Sequence, residues 1–413
     1  MAKTRTSKQA KQAEKAAKKM ANGHAKPKET PEQLYASAIE LVEQSQPDEA
    51  LKKAKKLWAQ VQNGSVTEAL PALNLLGEIS VELGDGDAAR DYFEKAVALD
   101  PTGEIPEAMG GGVEKFLWLA QLCEEGGKAS VDWFERGVRA LQVEIAAIES
   151  GKVTGVDEES LLMMRVEKKR KLANALCGIV EVYMTDLSWE EDAEARCDSL
   201  VTEAMTVEDE TSPEVLQTLA SVRLSQERKD DARAALTRSL QTWSDLDPDD
   251  AAVPDFATRV SLARLLMEAG MEQQAMQVLQ RLVTDDDQSV EAWYLGGWCQ
   301  HLMAEKLQAA PETSQDGDAD IGVVDPESVA IASKGSRNWL NMALKLYALL
   351  EYEDDRLFEH AKALVAELDG RLGPDASPAE GEDGEWEEWD GIVEPEDEDE
   401  SADGDEDEVM QDS

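Results

Sequence analysis

Residues 73–101 read LNLLGEISVELGDGDAARDYFEKAVALDP, and their spacing predicts two helices joined by a tight turn. The small residues Gly77 and Ala89 fall where the two helices would cross at close range, and Phe93 would fill the gap above that crossing. Gly84 falls in the turn between them. One such hairpin cannot bury its apolar face alone, so the pattern predicts neighbours of the same kind.

The offsets in this stretch match the tetratricopeptide repeat (TPR), a helix-turn-helix unit of about 34 residues that closes with a proline. Here the proline is Pro101, which ends the second helix because it cannot donate a backbone hydrogen bond. Similar spacings recur at 34–57, 216–239 and 259–282, and with insertions or deletions at 116–137, 172–200 and 291–343. We therefore predict an all-α TPR superhelical solenoid of about seven helical hairpins. A last helix at about 352–369 would cap the stack.

Charge divides the chain into three parts. Residues 1–30 contain nine Lys or Arg and two Glu, and residues 374–413 contain 20 Asp or Glu and no Lys or Arg. The body between them carries a net charge of −34, out of −47 for the whole chain. Ends of such composition cannot bury enough apolar surface to fold. The predicted domains are a disordered basic arm, 1–30, a TPR solenoid, 31–373, with a loop insertion at 305–335, and a disordered acidic tail, 374–413.

Each end has two interpretations. The basic arm is either a solubilising extension or a segment for nuclear import or RNA contact. The tail sets Trp386 and Trp389 among acidic residues. It is either plain acidic linker or a weak mimic of a polyanion with hydrophobic anchors.

The acidity of the body indicates a basic partner. A folded domain with this net charge is destabilised by self-repulsion. A solubilising surface explains any single carboxylate, but attraction to something strongly basic explains the whole better. Direct binding of nucleic acid needs a basic patch and is not expected. No transmembrane span or secretory signal is recognisable, so no membrane partner is expected.

Catalytic constellations are not recognisable in the sequence. The three histidines, His24, His301 and His360, are isolated from one another along the chain. The cysteines at 123, 177, 197 and 299 have no C-x-x-C or C-x-x-H spacing and fall at or near apolar positions. We expect reduced, buried thiols in an intracellular protein. The protein is therefore predicted not to be an enzyme and to have no cofactor.

Two weaker motifs resemble ligand loops. Asp316, Asp318, Asp320 and Glu327 fall at positions 1, 3, 5 and 12 of a calcium loop, but position 6 is Ile321 instead of Gly. We interpret the segment as acidic linker and predict no metal site. Residues 110–112 are three glycines, but no Gly-Lys-Ser/Thr follows them. We interpret them as a hinge and not as a phosphate loop.

The TPR register also predicts a binding surface. Such solenoids present the first helix of each hairpin, helix A, on the concave face. In this chain that face is acidic with some aromatic character, which suits a Lys/Arg-rich peptide. A clamp for a C-terminal carboxylate would need Lys, Asn and Arg where Tyr35, Ile39 and Glu78 stand. The predicted partner-binding residues are Tyr35, Glu43, Asn74, Glu78, Glu82, Gln121, Glu124, Glu125, Glu181, Glu268, Tyr294 and Trp298.

Several features together resemble the fungal dedicated assembly chaperones of ribosomal protein L4. They are the Lys/Ala-rich start, ETPEQLY at 29–35, LLGEI at 75–79, EAWYLGGW at 291–298 and the acidic tail. The resemblance covers most of the chain. It implies a protein that captures newly made L4, shields its long basic internal loop and accompanies it into the nucleus, where it reaches the pre-60S particle.

The same resemblance implies a location in both cytoplasm and nucleus. It also implies contact with an import factor and the pre-60S particle through the client, and no enzymatic activity. The family has no short binding motif, so only an acidic concave face is carried over in general.

Two other classes of function stay open at this point. An acidic histone chaperone or nuclear TPR adaptor would share the acidic tail and the basic client. The client recovered from cells, core histones or one ribosomal protein, distinguishes these readings. An enzyme with activity in the insertion 305–335 is the other alternative, but no acid-base or nucleophile set supports it.

Overall fold

The computed structural model describes residues 29–208, 212–309 and 326–373. Within these ranges the chain forms fifteen α-helices and one short 3-10 helix, and no β-strand. The predicted disordered arm and tail fall almost wholly outside the described residues. Among the helices of the described part, none has the length and apolar character that a membrane crossing requires.

The helices pair into seven hairpins, and a single helix follows the seventh. Helices A and B of the hairpins are, in order, α1 Pro31–Glu43 and α2 Pro47–Val61; α3 Val66–Glu82 and α4 Gly86–Leu99; α5 Glu114–Gln121 and α6 Gly127–Glu149; α7 Glu158–Met184 and α8 Ala193–Val207; α9 Pro213–Ser225 and α10 Lys229–Gln241; α11 Phe256–Glu268 and α12 Glu272–Asp285; α13 Val290–Ala309 and α14 Pro326–Leu349. The capping helix is α15 Asp355–Leu372. The predicted all-α TPR solenoid and its capping helix are confirmed.

Local signals in the sequence explain where the first hairpins begin. Thr30 caps α1: its hydroxyl accepts a hydrogen bond from the Gln33 N–H at 3.3 Å, and the Gln33 side chain accepts from the Thr30 N–H at 3.1 Å. Ser65 and Glu68 form the same reciprocal cap at the start of α3. These caps satisfy backbone N–H groups that the first turn of a helix leaves without partners.

The helices pack closely because small residues on one helix face large side chains on the next. A Cβ atom on Gly77 would lie 2.5 Å from the Phe93 ring, which is fully buried. A Cβ atom on Gly137 would lie 2.7 Å from Leu117. Gly178 repeats this close approach between neighbouring hairpins, where a Cβ atom would lie 2.7 Å from Phe134. Gly84, with φ of 73°, makes the predicted tight turn.

Parts of the predicted loop insertion are helical. Helix α13 continues to Ala309 and α14 begins at Pro326, so both ends of the predicted 305–335 loop are helical. Three of the acidic residues of the calcium-like motif lie outside the described residues. The fourth, Glu327, lies in the first turn of α14.

The glycines at 110–112 form a packed turn and not a hinge. The Gly110 carbonyl accepts a hydrogen bond from the Asn74 side chain at 2.9 Å, and a Cβ atom on Gly110 would overlap Pro71. A Cβ atom on Gly111 would overlap the Ile105 carbonyl. Close backbone approach, not mobility, explains these glycines.

A buried ion pair ties the second hairpin to the third. The Lys115 ammonium lies 2.9 Å from the Asp100 carboxylate, and the two side chains are 0% and 4% exposed. Lys115 also donates to the Gly112 carbonyl at 2.5 Å and lies over the Phe116 ring at 4.8 Å. Burial lowers the pKa of Lys115, against the opposing effect of its hydrogen bond to Asp100. The carboxylate of Asp100 and the carbonyl of Gly112 both accept from the ammonium, which offsets part of the cost of burying its charge.

Candidate functional site

Helices A of the middle hairpins enclose a cavity of about 610 Å³, the central cavity. It lies between α5, α7, α9 and α11, with Phe134 of α6 at its floor. The predicted residues Gln121 and Glu181 both line it. The structure thus brings these two predicted residues to one surface, although they lie in different repeats.

A second cavity, of about 790 Å³, lies between α11, α13 and the capping helix α15. Glu268, Tyr294 and Trp298, all predicted, line this C-terminal cavity. His360 of α15 completes its aromatic wall: its Nδ1 lies 2.7 Å from the Tyr294 hydroxyl, and its ring meets Trp298 edge-on at 5.2 Å between centroids. Aromatic faces of this kind cover aliphatic stems and attract cations.

Arg264 belongs to both cavities, so the two form one continuous groove along helices A. The Arg264 guanidinium is paired with Glu291 of α13. Its charge is therefore already opposed within the protein. We call the surface formed by the two cavities and the N-terminal helices A the groove.

The N-terminal part of the groove holds Tyr35, Glu78, Glu114 and Lys171, which come from the four helices A that precede α9. Burial, together with the charge of Glu78, raises the pKa of Tyr35. Burial and repulsion from Glu114 raise the pKa of Glu78, and Lys171 opposes this shift. Lys171 is paired with Glu114 at 2.6 Å and with Glu167 at 3.0 Å. The four groups therefore interact electrostatically across repeats.

Several groove carboxylates have no salt-bridge partner among the described residues, and Glu78, Glu181 and Glu268 are among them. Lys171, near Glu78, and Arg264, near Glu181 and Glu268, are paired elsewhere, and Arg356 lines the same cavity as Glu268. Burial raises the pKa of Glu181 above its ordinary value. An ionised carboxylate in a partly desolvated groove without a cation is costly, and a cation from a partner would remove that cost.

Three predicted glutamates are the last residues of their helices: Glu43 of α1, Glu82 of α3 and Glu268 of α11. The C-terminal end of a helix carries partial negative charge, so a carboxylate there is unfavourable by about 0.3–1 kcal/mol. No basic residue occupies the last turn of any of these three helices. Helix stability therefore does not explain these glutamates. Their charges add to the negative potential along the groove.

Two predicted residues are not on a helix A. Helix α5 ends at Gln121, and Glu124 and Glu125 lie in the turn that follows it. The Glu124 carboxylate is paired with Arg90 of α4 at 2.5 Å. The register placed them on the helix because it assumed a full-length helix A, whereas this one has only eight residues.

Asn74 was predicted as a groove residue and has a structural contact instead. Its side chain is half-buried and donates to Gly110, which holds α3 against the turn before α5. Its amide N–H is therefore occupied within the protein.

The structure adds groove residues that sequence reasoning missed. Glu214, Gln217 and Ser221 of α9 line the central cavity. Gln217 is only 6% exposed, and its side-chain Nε2 has no hydrogen-bond partner among the described residues. These residues occupy the same repeat positions as Pro71, Asn74 and Glu78 in the second hairpin. The sequence contained the signal for these residues, because the repeat register that predicts Glu78 as a groove residue also predicts them.

The cysteines are largely packed, as predicted. Cys177, Cys197 and Cys299 are buried and Cys123 is half-buried, all as free thiols. Burial raises the pKa of Cys177 and of Cys299 to about 12. Reactive thiolates require the opposite shift.

His301 is 4% exposed on α13, and its Nε2 lies 3.5 Å from the Glu305 carboxylate. Glu367 of α15 also approaches, so that one ligand atom from each of the three residues lies within 4.8 Å of the others. Glu367 is paired with Arg371. This competing cation and the exposure of both carboxylates make proximity alone a weak basis for a metal site.

Titration of the groove acids leads to a testable stability effect. Because the folded-state pKa of Glu181 is raised, its ionised form destabilises the fold, and this cost grows as pH rises through the raised value. We expect Glu181→Gln to raise the melting temperature at pH 7 by about 1–2 °C. The gain should shrink as pH is lowered through the raised pKa, where the wild-type carboxyl takes up its proton. Circular dichroism melts at several pH values measure this, with Glu94→Gln on α4 as control. A gain that does not change with pH would contradict the burial argument.

A helical solenoid with an open acidic groove places this chain in the class of TPR proteins. Residues 35–104 match the family described as tetratricopeptide repeat. That match covers most of the first hairpin and all of the second, and the remaining hairpins follow from the structure.

Longer comparisons identify the family. The chain is 48% identical over 370 residues to a probable assembly chaperone of rpl4 from Emericella nidulans, covering 88% of this chain and 89% of the relative. It is 33% identical over 317 residues to a protein of the same name from Schizosaccharomyces pombe, covering 76% and 85%. The solved structure of the assembly chaperone of RpL4 (Acl4), residues 1–338, matches with a TM-score of 0.62 and 48% identity, covering 68% of this chain and 99% of that one. The chain belongs to the family of assembly chaperones of rpl4.

Proposed function

We propose that this protein is a dedicated chaperone of ribosomal protein L4 and that the groove holds a Lys/Arg-rich segment of that client. The observation that carries the proposal is the set of carboxylates Glu78, Glu181 and Glu268 along the groove, none of which makes a salt bridge to the described residues, together with the aromatic wall of Tyr294 and Trp298 beside Glu268. The relatives at 48% and 33% identity are named for the same client.

Each part of the groove has a distinct task in this proposal. Glu78 and Glu181 pair with Lys or Arg heads, and each pair lowers the cost of a charge that its surroundings partly desolvate. Tyr294 and Trp298 stack on guanidinium or cover a lysine stem. Gln217 offers its amide Nε2 to a main-chain carbonyl of the client, which would satisfy a donor that lacks a partner in the free protein.

Shielding follows from the same electrostatics. A free basic loop binds nucleic acid without sequence preference, because phosphate contacts supply most of the affinity. With its cations paired to groove carboxylates, the basic loop of newly made L4 would be kept from contacts with nucleic acid until assembly. The protein would act in cytoplasm and nucleus and reach an import factor and the pre-60S particle through its client. It would need no catalysis and no direct contact with nucleic acid or membrane.

Purification of the tagged protein from cells, followed by mass spectrometry, tests the proposed client. Ribosomal protein L4 should be the dominant co-purifying basic protein. Recovery of core histones in its place would support the histone-chaperone alternative and overturn the proposal.

Charge steering predicts a strong salt dependence of binding. We expect the association rate with L4 to fall by roughly tenfold or more between low and physiological ionic strength, since exposed charges are screened over about 8 Å at 0.15 M. Stopped-flow fluorescence or surface plasmon resonance at several salt concentrations measures this rate. An association rate that is independent of salt would show that the acidic body does not steer the encounter.

A further inference from the structure

The central cavity contains two carboxylates from neighbouring helices A. Glu181 lies on α7, and Glu214 lies in the first turn of α9. Within the part of the chain that the structure describes, neither makes a salt bridge. The Glu214 carboxylate accepts a hydrogen bond from the Ser212 hydroxyl at 2.9 Å, which is a neutral donor. The cavity therefore has two carboxylates that no direct ion pair neutralises.

Neutral acceptors and an aromatic ring surround these carboxylates. The Thr218 hydroxyl donates to the Glu214 main-chain carbonyl at 3.1 Å, and its oxygen can also accept. The Asn174 side chain lines the cavity and adds an amide oxygen. Phe134 lies at the floor, packed so closely against α7 that a Cβ atom on Gly178 would lie 2.7 Å from its ring. The cavity thus combines carboxylates, neutral acceptors and an aromatic surface.

The charge of Arg264 is directed away from these carboxylates. Among the described residues, Arg264 is the cation that lines the central cavity, and its guanidinium is paired with Glu291 of α13. Burial and the charge of Asp354 raise the pKa of Tyr294, and Arg264 opposes that shift. Tyr294 lines the C-terminal cavity, so Arg264 acts on that side of α11. The carboxylates of α7 and α9 are left for a cation from outside.

We propose that the central cavity selects arginine over lysine in the client, by holding one guanidinium between Glu181 and Glu214. This selectivity rests on the proposed function, in which the groove binds a Lys/Arg-rich segment. A guanidinium has five N–H donors in a planar fork and pairs with carboxylates in a fixed geometry. A lysine ammonium is a compact point charge with three donors, so it lacks the fork that can bridge carboxylates on two helices.

The surroundings of the carboxylates favour the same choice. Burial raises the pKa of Glu181, so water is partly excluded here. An ammonium is more strongly hydrated than a guanidinium, and its entry into such a cavity costs more. Guanidinium planes also stack on aromatic rings, and Phe134 supplies one. An anionic ligand would be repelled by both carboxylates, whereas a basic client has the opposite charge.

Gln217 adds a contact to the main chain of the same client residue. Its side chain lines the cavity, is 6% exposed, and has no hydrogen-bond partner for Nε2 among the described residues. A guanidinium has no acceptor, so this donor remains for a main-chain carbonyl. The cavity would then fix both the side chain and the main chain at one position. Selection at one position distinguishes the client from other basic proteins of equal charge.

Two peptides of the L4 basic loop with equal charge test the selectivity. One has arginine at every basic position and the other has lysine. Fluorescence anisotropy with the full-length protein should show at least about tenfold tighter binding of the arginine peptide. Single changes from lysine to arginine in the lysine peptide should place most of that gain at one position. The gain at that position should be lost in Glu181→Gln/Glu214→Gln. It should be kept in the matched control Glu78→Gln/Glu268→Gln, which removes two charges from other parts of the groove.

The possible failures separate the selectivity from the proposed function. Equal affinity for the two peptides, with binding that weakens as salt rises, would overturn the selectivity and leave the proposed function in place. A gain spread evenly over all positions, or one that survives Glu181→Gln/Glu214→Gln, would also overturn it, because the central cavity would not be its source. If neither peptide binds, the proposed function fails and the selectivity fails with it. Circular dichroism should show Glu181→Gln/Glu214→Gln folded, because glutamine keeps an acceptor for Ser212 and removes the partly buried charge of Glu181.

Discussion

Reversing the three unpaired groove charges should abolish capture of the basic client. We expect Glu78→Lys/Glu181→Lys/Glu268→Lys to weaken binding of L4 by more than about 100-fold, or about 3 kcal/mol, because like charges then meet across a partly desolvated contact. The effect should appear mainly as faster dissociation where the pairs are buried in the complex. Affinity measurements with purified L4 or a peptide from its basic loop give the result.

The matched control has the same change in charge on helices B. Glu94 of α4 and Glu194 and Glu203 of α8 are exposed, and reversing all three to Lys should weaken binding by only a few fold, through loss of long-range attraction. Circular dichroism should show both variants folded, because none of the six carboxylates makes a salt bridge to the described residues. If the folded groove variant binds as the wild type does, the client does not use this surface.

Breaking the buried pair of Lys115 and Asp100 should have the largest effect on stability. Lys115→Ala leaves the Asp100 carboxylate buried without a cation, which costs about 3–5 kcal/mol. In a solenoid each hairpin is stabilised by its neighbours, so the loss should loosen the junction between the second and third hairpins first. Thermal melts and hydrogen exchange of α5 measure the change.

Replacing both partners separates charge from packing. Lys115→Met/Asp100→Leu removes the two buried charges together and should recover most of the lost stability. Lys95→Ala, on the exposed face of α4, should change the melting temperature little, since exposed ion pairs contribute little. A double variant as unstable as Lys115→Ala would show that the hydrogen bond to Gly112, and not the ion pair, stabilises this junction.

The repeat spacing predicted much of the groove but not the contacts of its members. Gln121, Glu181 and Glu268 line the cavities as the register implies, because positions within a helix follow a fixed period of 3.6 residues. Glu124 is displaced because α5 is short. The repeat spacing does not predict the hydrogen bond from Asn74 to the Gly110 carbonyl, because the path of the loop at 100–113 is not part of the repeat.

The sequence by itself determined the all-α solenoid, its seven hairpins and its acidity. Those properties depend on local spacing, small residues at helix crossings and composition, which are all readable along the chain. Only the tertiary structure decided which charges are opposed. Lys171 is paired with Glu114, Lys115 is buried against Asp100, and Glu181 makes no salt bridge within the part of the chain that the structure describes. Such pairing depends on distances between side chains of different repeats, and electrostatic energy depends on those distances and on burial, neither of which the order of residues reveals.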